Sequence, residues 1–249
     1  MIEGIDVSSY QSATPDVTGL SFVFVKVTEG TSYVNPAWQS QYQTAKGAGL
    51  VTGLYHYPNI TADPVAEANY FLSQATPQTG DILILDWEWD GTVSNGVADA
   101  YKQQWLQSVK NQKPDSRVIL YSNLDDWTHV DTNSYCQDGL WIADYVSAGQ
   151  PRIQHPWVFH QYSDAGGLDR NVGNFSSVDE LKAWAGVPTP APTVDPHSEP
   201  GYAVWAYKNP VPGPDAWAKL DAVYTAVQGL SGAVQAILAK LDQGGKTGA

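Results

Sequence analysis

The segment LILDWEWD, residues 83–90, ends an apolar run in three carboxylates separated by two tryptophans. If the run is a strand, side chains alternate between its faces, so Asp86 and Glu88 share one face roughly 6.6 Å apart along the chain. Repulsion and loss of solvent push the two pKa values apart, so that one group keeps a proton near neutrality while the other stays ionised. Such a pair can protonate a leaving oxygen and stabilise positive charge on the carbon it leaves, which is what breaking a glycosidic bond requires. Acids at strand ends also cap helices or simply meet solvent, so the triplet alone does not establish chemistry.

The elements that must position these acids are legible in the pattern. Short apolar runs bounded by turn residues recur at 2–7, 22–27, 50–57, 82–88, 117–122, 140–145, 157–162 and 168–172. These are eight candidate strands, and continuous runs such as ILIL suit parallel strands buried on both faces. Helix starts lie between them. Asn35-Pro36 opens one helix with Trp38, Tyr42 and Ala45 on a stripe, Asp63-Pro64 opens another, and Gly96 to Gln112 reads as a third. Ser177 and Glu180 form a capping box before Leu181 and Trp184. Repeated βα units predict an α/β barrel, and the crowding of the last three strands predicts that they have lost their outer helices.

In α/β barrels the loops at the C-terminal ends of the strands converge on the chemistry. Asp6 ends the first run, Asp86 and Glu88 the fourth, and Asp169 lies in the eighth. Four acids from three distant segments therefore meet at one mouth. Each has a structural alternative: Asp6 could satisfy backbone amides, and Asp169 could hold the turn at GGLDRN.

Composition narrows the partner. The 249 residues carry a formal charge of −13, which argues against nucleic acid or an anionic membrane surface held by charge. Ten Trp and fourteen Tyr offer flat faces with polar tips, suited to sugar rings as well as to a core. One cysteine, scattered histidines and no CxxC or HExxH motif predict no disulfide, no metal site and no cofactor. No stretch reaches the roughly 20 apolar residues of a membrane span.

The composition changes after Gly186. Residues 187–201 are Pro- and Thr-rich and predict an extended linker between a barrel at 1–186 and an appendage at 202–249. Within the appendage, 215–242 reads as a helix in which Leu220, Val227, Val234 and Leu241, like Val223, Leu230 and Ile237, recur at sevens. That repeat predicts self-association through a short coiled coil, or a wall-targeting element.

The ordered series GIDVSSYQ, FVKVTEGTSYVNP, AGLVTGLYHY, LDWEWD, LYSN, LWIADY and HQYS followed by LDRN resembles family 25 of the glycoside hydrolases, the muramidase-type lysozymes, from Ile5 to about Trp184. The resemblance implies an irregular TIM-like barrel of five βα units followed by three strands. It also implies hydrolysis of the β-1,4 bond between N-acetylmuramic acid and N-acetylglucosamine in peptidoglycan glycan strands. By the same resemblance Glu88 is the general acid/base, Asp86 the group that stabilises the sugar cation or an oxazolinium, and Asp6 and Asp169 supporting acids. Two departures stand out: Phe159-His160 where a Trp usually precedes Gln161, and Arg170 where an apolar residue is usual.

Tyr57, Tyr121, Trp141, Asp144 and Gln161 also fall at strand ends and are candidate sugar contacts, each with a structural alternative. Lys26 and Glu29 read as an internal ion pair outside the site. Two competing functions are a chitinase-like hydrolase, whose fuller D-x-x-D-x-D-x-E pattern is absent, and a non-catalytic wall-binding module, which would not need all four acids. The N-terminus has no basic region followed by an apolar run, and with the linker and appendage this suggests a bacteriophage endolysin, made in the host cytoplasm and released onto the wall, although a bacterial autolysin with a removed signal would look the same.

Overall fold

Each of the eight apolar runs forms a strand in the computed structural model, which describes residues 1–188 together with 223–225 and 227. They are β1 (Ile2–Val7), β2 (Phe22–Glu29), β4 (Val51–Tyr57), β5 (Ile82–Asp86), β6 (Val118–Asn123), β7 (Leu140–Ala143), β8 (Phe159–Ser163) and β9 (Asp169–Gly173). A two-residue strand, β3 (Tyr33–Val34), hairpins onto β2. The order β1-β9-β8-β7-β6-β5-β4-β2, closed by pairing of β1 with β2, makes an eight-stranded barrel.

Seven strands are parallel, and β9 runs antiparallel to both its neighbours, β1 and β8. The reversal has a local cause. Only residues 164–168 join β8 to β9, far fewer than the dozen or more a parallel crossover needs. Gly166 and Gly167 take the positive φ values, 76° and 75°, that this tight turn requires.

Helices α1 (Trp38–Gly47), α2 (Pro64–Ala75) and α3 (Asn95–Gln112) cover the outside after β3, β4 and β5. Their starts follow the sequence signals. Asn35 Oδ1 accepts from Ala37 N, and Asp63 Oδ1 accepts from Val65 N and Ala66 N with Pro64 in the first turn. A π-helical turn, Asp126–Val130, follows β6. No α-helix follows β7 or β8 among the described residues, and the β1–β2 connection also lacks one. Helix α4 (Val178–Ala185) is capped by Ser177, while Glu180 returns its bond to Ser176 rather than to the cap.

The barrel interior is filled by alternate residues. Ile2, Phe22, Phe24, Ile82, Ile84, Ile119 and Phe159 form one cluster, closed at the N-terminal end of the strands by Leu181 and Ala185 of α4. A methyl group at Gly4 or Gly53 would stand 2.4 Å from the ring of Phe22 or Phe24, so these two glycines make room for the aromatic core. The odd partners on β5, Leu83 and Leu85, face the helices instead, with Phe71, Trp105 and Leu106.

Met1–Thr189 is one compact unit and Pro190–Ala249 another. Val187 still belongs to the barrel, since a side chain at Gly80 would run into its backbone at 2.9 Å. The 187–201 linker beyond Val187 and Pro188, and the heptad pattern of 215–242 apart from the helical residues Val223, Tyr224, Thr225 and Val227, lie outside the described residues.

Candidate active site

The two tryptophans of LILDWEWD anchor the acids. Trp87 is fully buried against α3, with its indole Nε1 donating to Ala98 O at 3.2 Å, and Trp89 Nε1 donates to Val93 O at 2.8 Å. With the tryptophans turned to the outer layer, alternation leaves Asp86 and Glu88 facing the mouth. β5 ends at Asp86, so Glu88 sits just beyond it.

Asp169 reaches the same mouth because β9 is antiparallel and begins where the others end. It pairs in register with Asp6, the penultimate residue of β1. Asp6 Oδ1 accepts from Gln161 Nε2 at 2.9 Å and from Asn171 Nδ2 at 2.6 Å. Burial, then the charge of Asp169, pushes Asp6 up to about 7. Asp169 is raised by its own burial, while the Asp6 carboxyl, donating to it, pulls the other way. Both acids are therefore harder to ionise than free carboxylates.

Asp86 is partly buried, and its Oδ1, shielded from solvent, has no hydrogen-bond partner among the described residues. Burial first, and then the charge of Glu88, raise it well above the usual carboxylate range. Glu88 is raised too, by burial and next by Asp126, with Lys26 and the Tyr121 hydroxyl opposing. Both acids therefore hold a proton to a higher pH than a free carboxylate would.

Glu88 stands where two cavities meet. One, of about 480 Å³, is lined by Tyr121, Asn123, Ala143, Asp144, Tyr145 and Arg152; the other, of about 340 Å³, by Glu29, Tyr33, Tyr57, Asn59, Ile60 and Asp90. Glu88 lines both.

The remaining expected contacts divide. Tyr57 is half-buried in the second cavity, with Lys26 Nζ 4.8 Å from its ring centroid, and burial followed by the charge of Glu88 raises it to about 12. The Tyr121 hydroxyl donates to Gln161 Oε1 at 3.0 Å, tying both to Asp6. Trp141 is 2 % exposed. It lies beneath the acids, its Nε1 donating to Asn171 Oδ1 at 2.8 Å and its ring centroid 4.4 Å from that of Tyr121, so it supports the floor and presents no open face. Asp144 lines the first cavity, but its carboxylate is engaged by Arg152 Nη2 at 2.6 Å and by Arg152 N at 2.8 Å, which hold the loop after β7.

Several residues at the mouth were not expected from the sequence. Asn171 bridges Asp6 and Trp141, Tyr145 OH reaches Gln161 Oε1 at 3.3 Å, and Asp126 adjoins Glu88. Lys26 does pair with Glu29, at 2.7 Å, yet it also acts on Asp86 and Glu88. Its signal was available, since it lies two residues past Phe24 on the interior parity of β2. The two departures from the resembled pattern face away from the acids: Arg170 is exposed, and His160 Nε2 donates to Asp144 O at 2.7 Å while Nδ1 accepts from Gly149 N at 3.0 Å. Burial lowers the His160 pKa, which keeps the ring neutral in this arrangement. Among the described residues no cluster of His, Cys, Asp and Glu is arranged to hold a metal ion, and no helix is long and apolar enough to cross a membrane.

The family model for glycosyl hydrolases family 25 matches residues 5–170, which contain all four acids. The chain belongs to that family. It is 30% identical over 211 residues to the N,O-diacetylmuramidase of Chalaropsis sp, spanning 74% of this chain and 99% of that protein. It is 27% identical over 203 residues to lysozyme M1 of Streptomyces globisporus, spanning 71% and 69%. The solved muramidase of Trichobolus zukalii superposes with a TM-score of 0.65 at 26% identity, covering 75% of this chain and 99% of that one. The chain is therefore a glycoside hydrolase.

Proposed function

We propose that this family 25 enzyme is an N-acetylmuramidase, cleaving the β-1,4 bond between N-acetylmuramic acid and N-acetylglucosamine in peptidoglycan. The observation that carries the reading is Glu88 at the junction of the two cavities. A glycan strand threaded through both sets its scissile oxygen against Glu88 and the reacting ring over Asp86. Glu88 gives its proton to the leaving oxygen and afterwards takes one from the attacking water. As positive charge grows on the ring or on an oxazolinium of its acetamido group, the ionised Asp86 carboxylate is favoured and stabilises it. Asp6 holds Gln161 and Asn171 beneath the ring, and Asp169 beside it adds negative potential.

Digestion of purified sacculi followed by borohydride reduction and mass spectrometry tests this. New ends reduced to muramitol are expected; ends reduced to glucosaminitol, or no ends at all, would overturn it. Chitin is the control: cleavage of chitin in preference to sacculi would favour the chitinase-like alternative, and binding without new ends a wall-binding module.

The biological setting belongs to the same proposal: lysis of a host cell by a phage, with the protein made in the cytoplasm and acting on the wall after release. The Pro-rich stretch and the separate appendage agree with a modular lysin. Cells expressing the chain internally should grow normally and lyse once the inner membrane is permeabilised. Intact cells after permeabilisation would count against that role.

A further inference from the structure

The segment that carries Glu88 is held from outside the mouth. Asp126, the first residue of the π-helical turn, is 4 % exposed, and its Oδ2 accepts from Trp89 N at 3.0 Å and from Asn123 Nδ2 at 2.6 Å. Asn123 Oδ1 returns the bond by accepting from Asp126 N at 2.8 Å. Trp89 is the residue after Glu88, so this carboxylate grips the peptide adjoining the acid.

The turn is itself fixed. Lys102, fully buried on α3, lies 2.9 Å from Asp99 Oδ1 and pairs with Asp131, the residue that ends the turn. Its ammonium stands 4.8 Å from the ring centroid of Trp87 and 6.0 Å from that of Trp127. Trp87 and Trp89, on either side of Glu88, are thus tied to one rigid block. A π-helical turn is a rare and costly conformation that recurs at functional sites, and here it aims one buried anion at one backbone N–H.

We propose that Asp126 is a positioning residue for Glu88, holding the acid at the junction of the two cavities through Trp89 N–H and placing its carboxylate behind it. The proposal rests on the reading of Glu88 as the general acid. Asp126 is the foremost charge among those that hold a proton on Glu88, second only to burial. The other groups facing Glu88 are Asp86 on β5, Lys26 with its partner Glu29 on β2, Tyr33 on β3, Tyr57 on β4, Tyr121 on β6, Asp144, Tyr145 and Arg152 after β7, and His129 on the π-helical turn, with Asp90 and Asp125 at the cavity rims. Lys26 and Tyr121 favour the ionised form of Glu88, and Asp126 opposes them.

Two substitutions separate charge from grip. Both bonds of Asp126 fall on Oδ2, so the amide oxygen in Asp126→Asn can keep them while the charge disappears. Loss of that charge makes Glu88 easier to ionise, so the proton donor is lost at lower pH. The alkaline limb of kcat/KM on soluble peptidoglycan fragments should move down by about half a pH unit or more, with the acid-side plateau of kcat retained. Asp126→Glu keeps the charge but displaces the grip: its alkaline limb should stay in place while kcat falls about tenfold or more at little cost in KM. An unmoved limb in the first variant, or a normal kcat in the second, overturns the assignment. Turnover that survives Glu88→Gln would instead sink the general-acid reading, whereas turnover lost there beside an unmoved limb in Asp126→Asn sinks only the role of Asp126.

Discussion

Asp81 and Asp86 flank β5, one just before its start and one at its end; Asp81 is fully buried, and Asp86 is partly buried with its Oδ1 shielded from solvent. Asp81 accepts from Tyr42 OH at 2.7 Å, Thr52 Oγ1 at 2.5 Å and Gln78 N at 2.8 Å, and Lys46 Nζ lies 2.6 Å away. Among the described residues Asp86 has an oxygen without a partner, with Glu88, Asp6 and Glu29 as neighbouring charges and Lys26 as the one cation offsetting them. A buried carboxylate surrounded by donors stabilises the fold it sits in. One surrounded by other acids costs stability, and such groups mark the places where chemistry needs a misplaced proton.

Four substitutions break or sharpen that contrast, from the largest effect down. Glu88→Gln removes the transferable proton and keeps the shape. Turnover on sacculi should fall on the order of 10² to 10⁴-fold with the thermal melt nearly unchanged. With the wild type, activity should be bell-shaped in pH: raised Asp86 and Glu88 hold their proton past the usual carboxylate range, so the alkaline limb reports loss of that proton and the acid limb protonation of the partner. Activity still rising at about pH 9 would be incompatible with this scheme.

Asp81→Ala strands Lys46, two hydroxyls and a backbone N–H at the other end of the same strand. It should cost about 3–5 kcal/mol in a denaturant titration. A loss well under 1 kcal/mol would remove the basis of the comparison.

Asp6→Asn should do the reverse. The folded-state pKa of Asp6 is about 7 against a reference of 3.8, so the folded protein holds the proton more tightly than the unfolded chain. Stability linked to this group is therefore full below pH 4 and is lost as pH rises towards 7. The asparagine oxygen can keep the bonds from Gln161 and Asn171 without the charge. Melts at pH 8 should show Asp6→Asn more stable than wild type by roughly 2–4 °C for each kcal/mol relieved, with the gain vanishing near pH 4. Equal melting points at pH 8 would mean that the mouth carries no such cost. Last, Glu29→Gln breaks a part-exposed pair and should change stability by less than about 1 kcal/mol.

What the chain writes locally could be read locally. The alternation and apolar runs that make strands depend on neighbours two residues apart, and Asp63 and Ser177 cap helices through bonds that span only two or three residues. The barrel, the parity of Asp86 and Glu88, and the gathering of four acids follow from such short-range patterns. The placement of Tyr57, Tyr121 and Gln161 near the mouth was visible for the same reason. The five-residue turn after β8 also announced an antiparallel β9, which would have explained how Asp169, first in its strand, reaches the end where the others finish.

The environment of each acid was decided elsewhere. Asp6 meets Asn171 across 165 positions and Trp89 meets Asp126 across 37, and neither pairing leaves a mark in the residues beside it. The engagement of Asp144 by Arg152, the burial of Trp141 and the outward turn of Trp87 and Trp89 each depend on what packs against them. Sequence by itself determined which side chains face the barrel interior, because alternation is a property of the strand. Only the closed barrel decided which of them lack donors and hold protons, because desolvation and charge repulsion are sums over everything nearby in space.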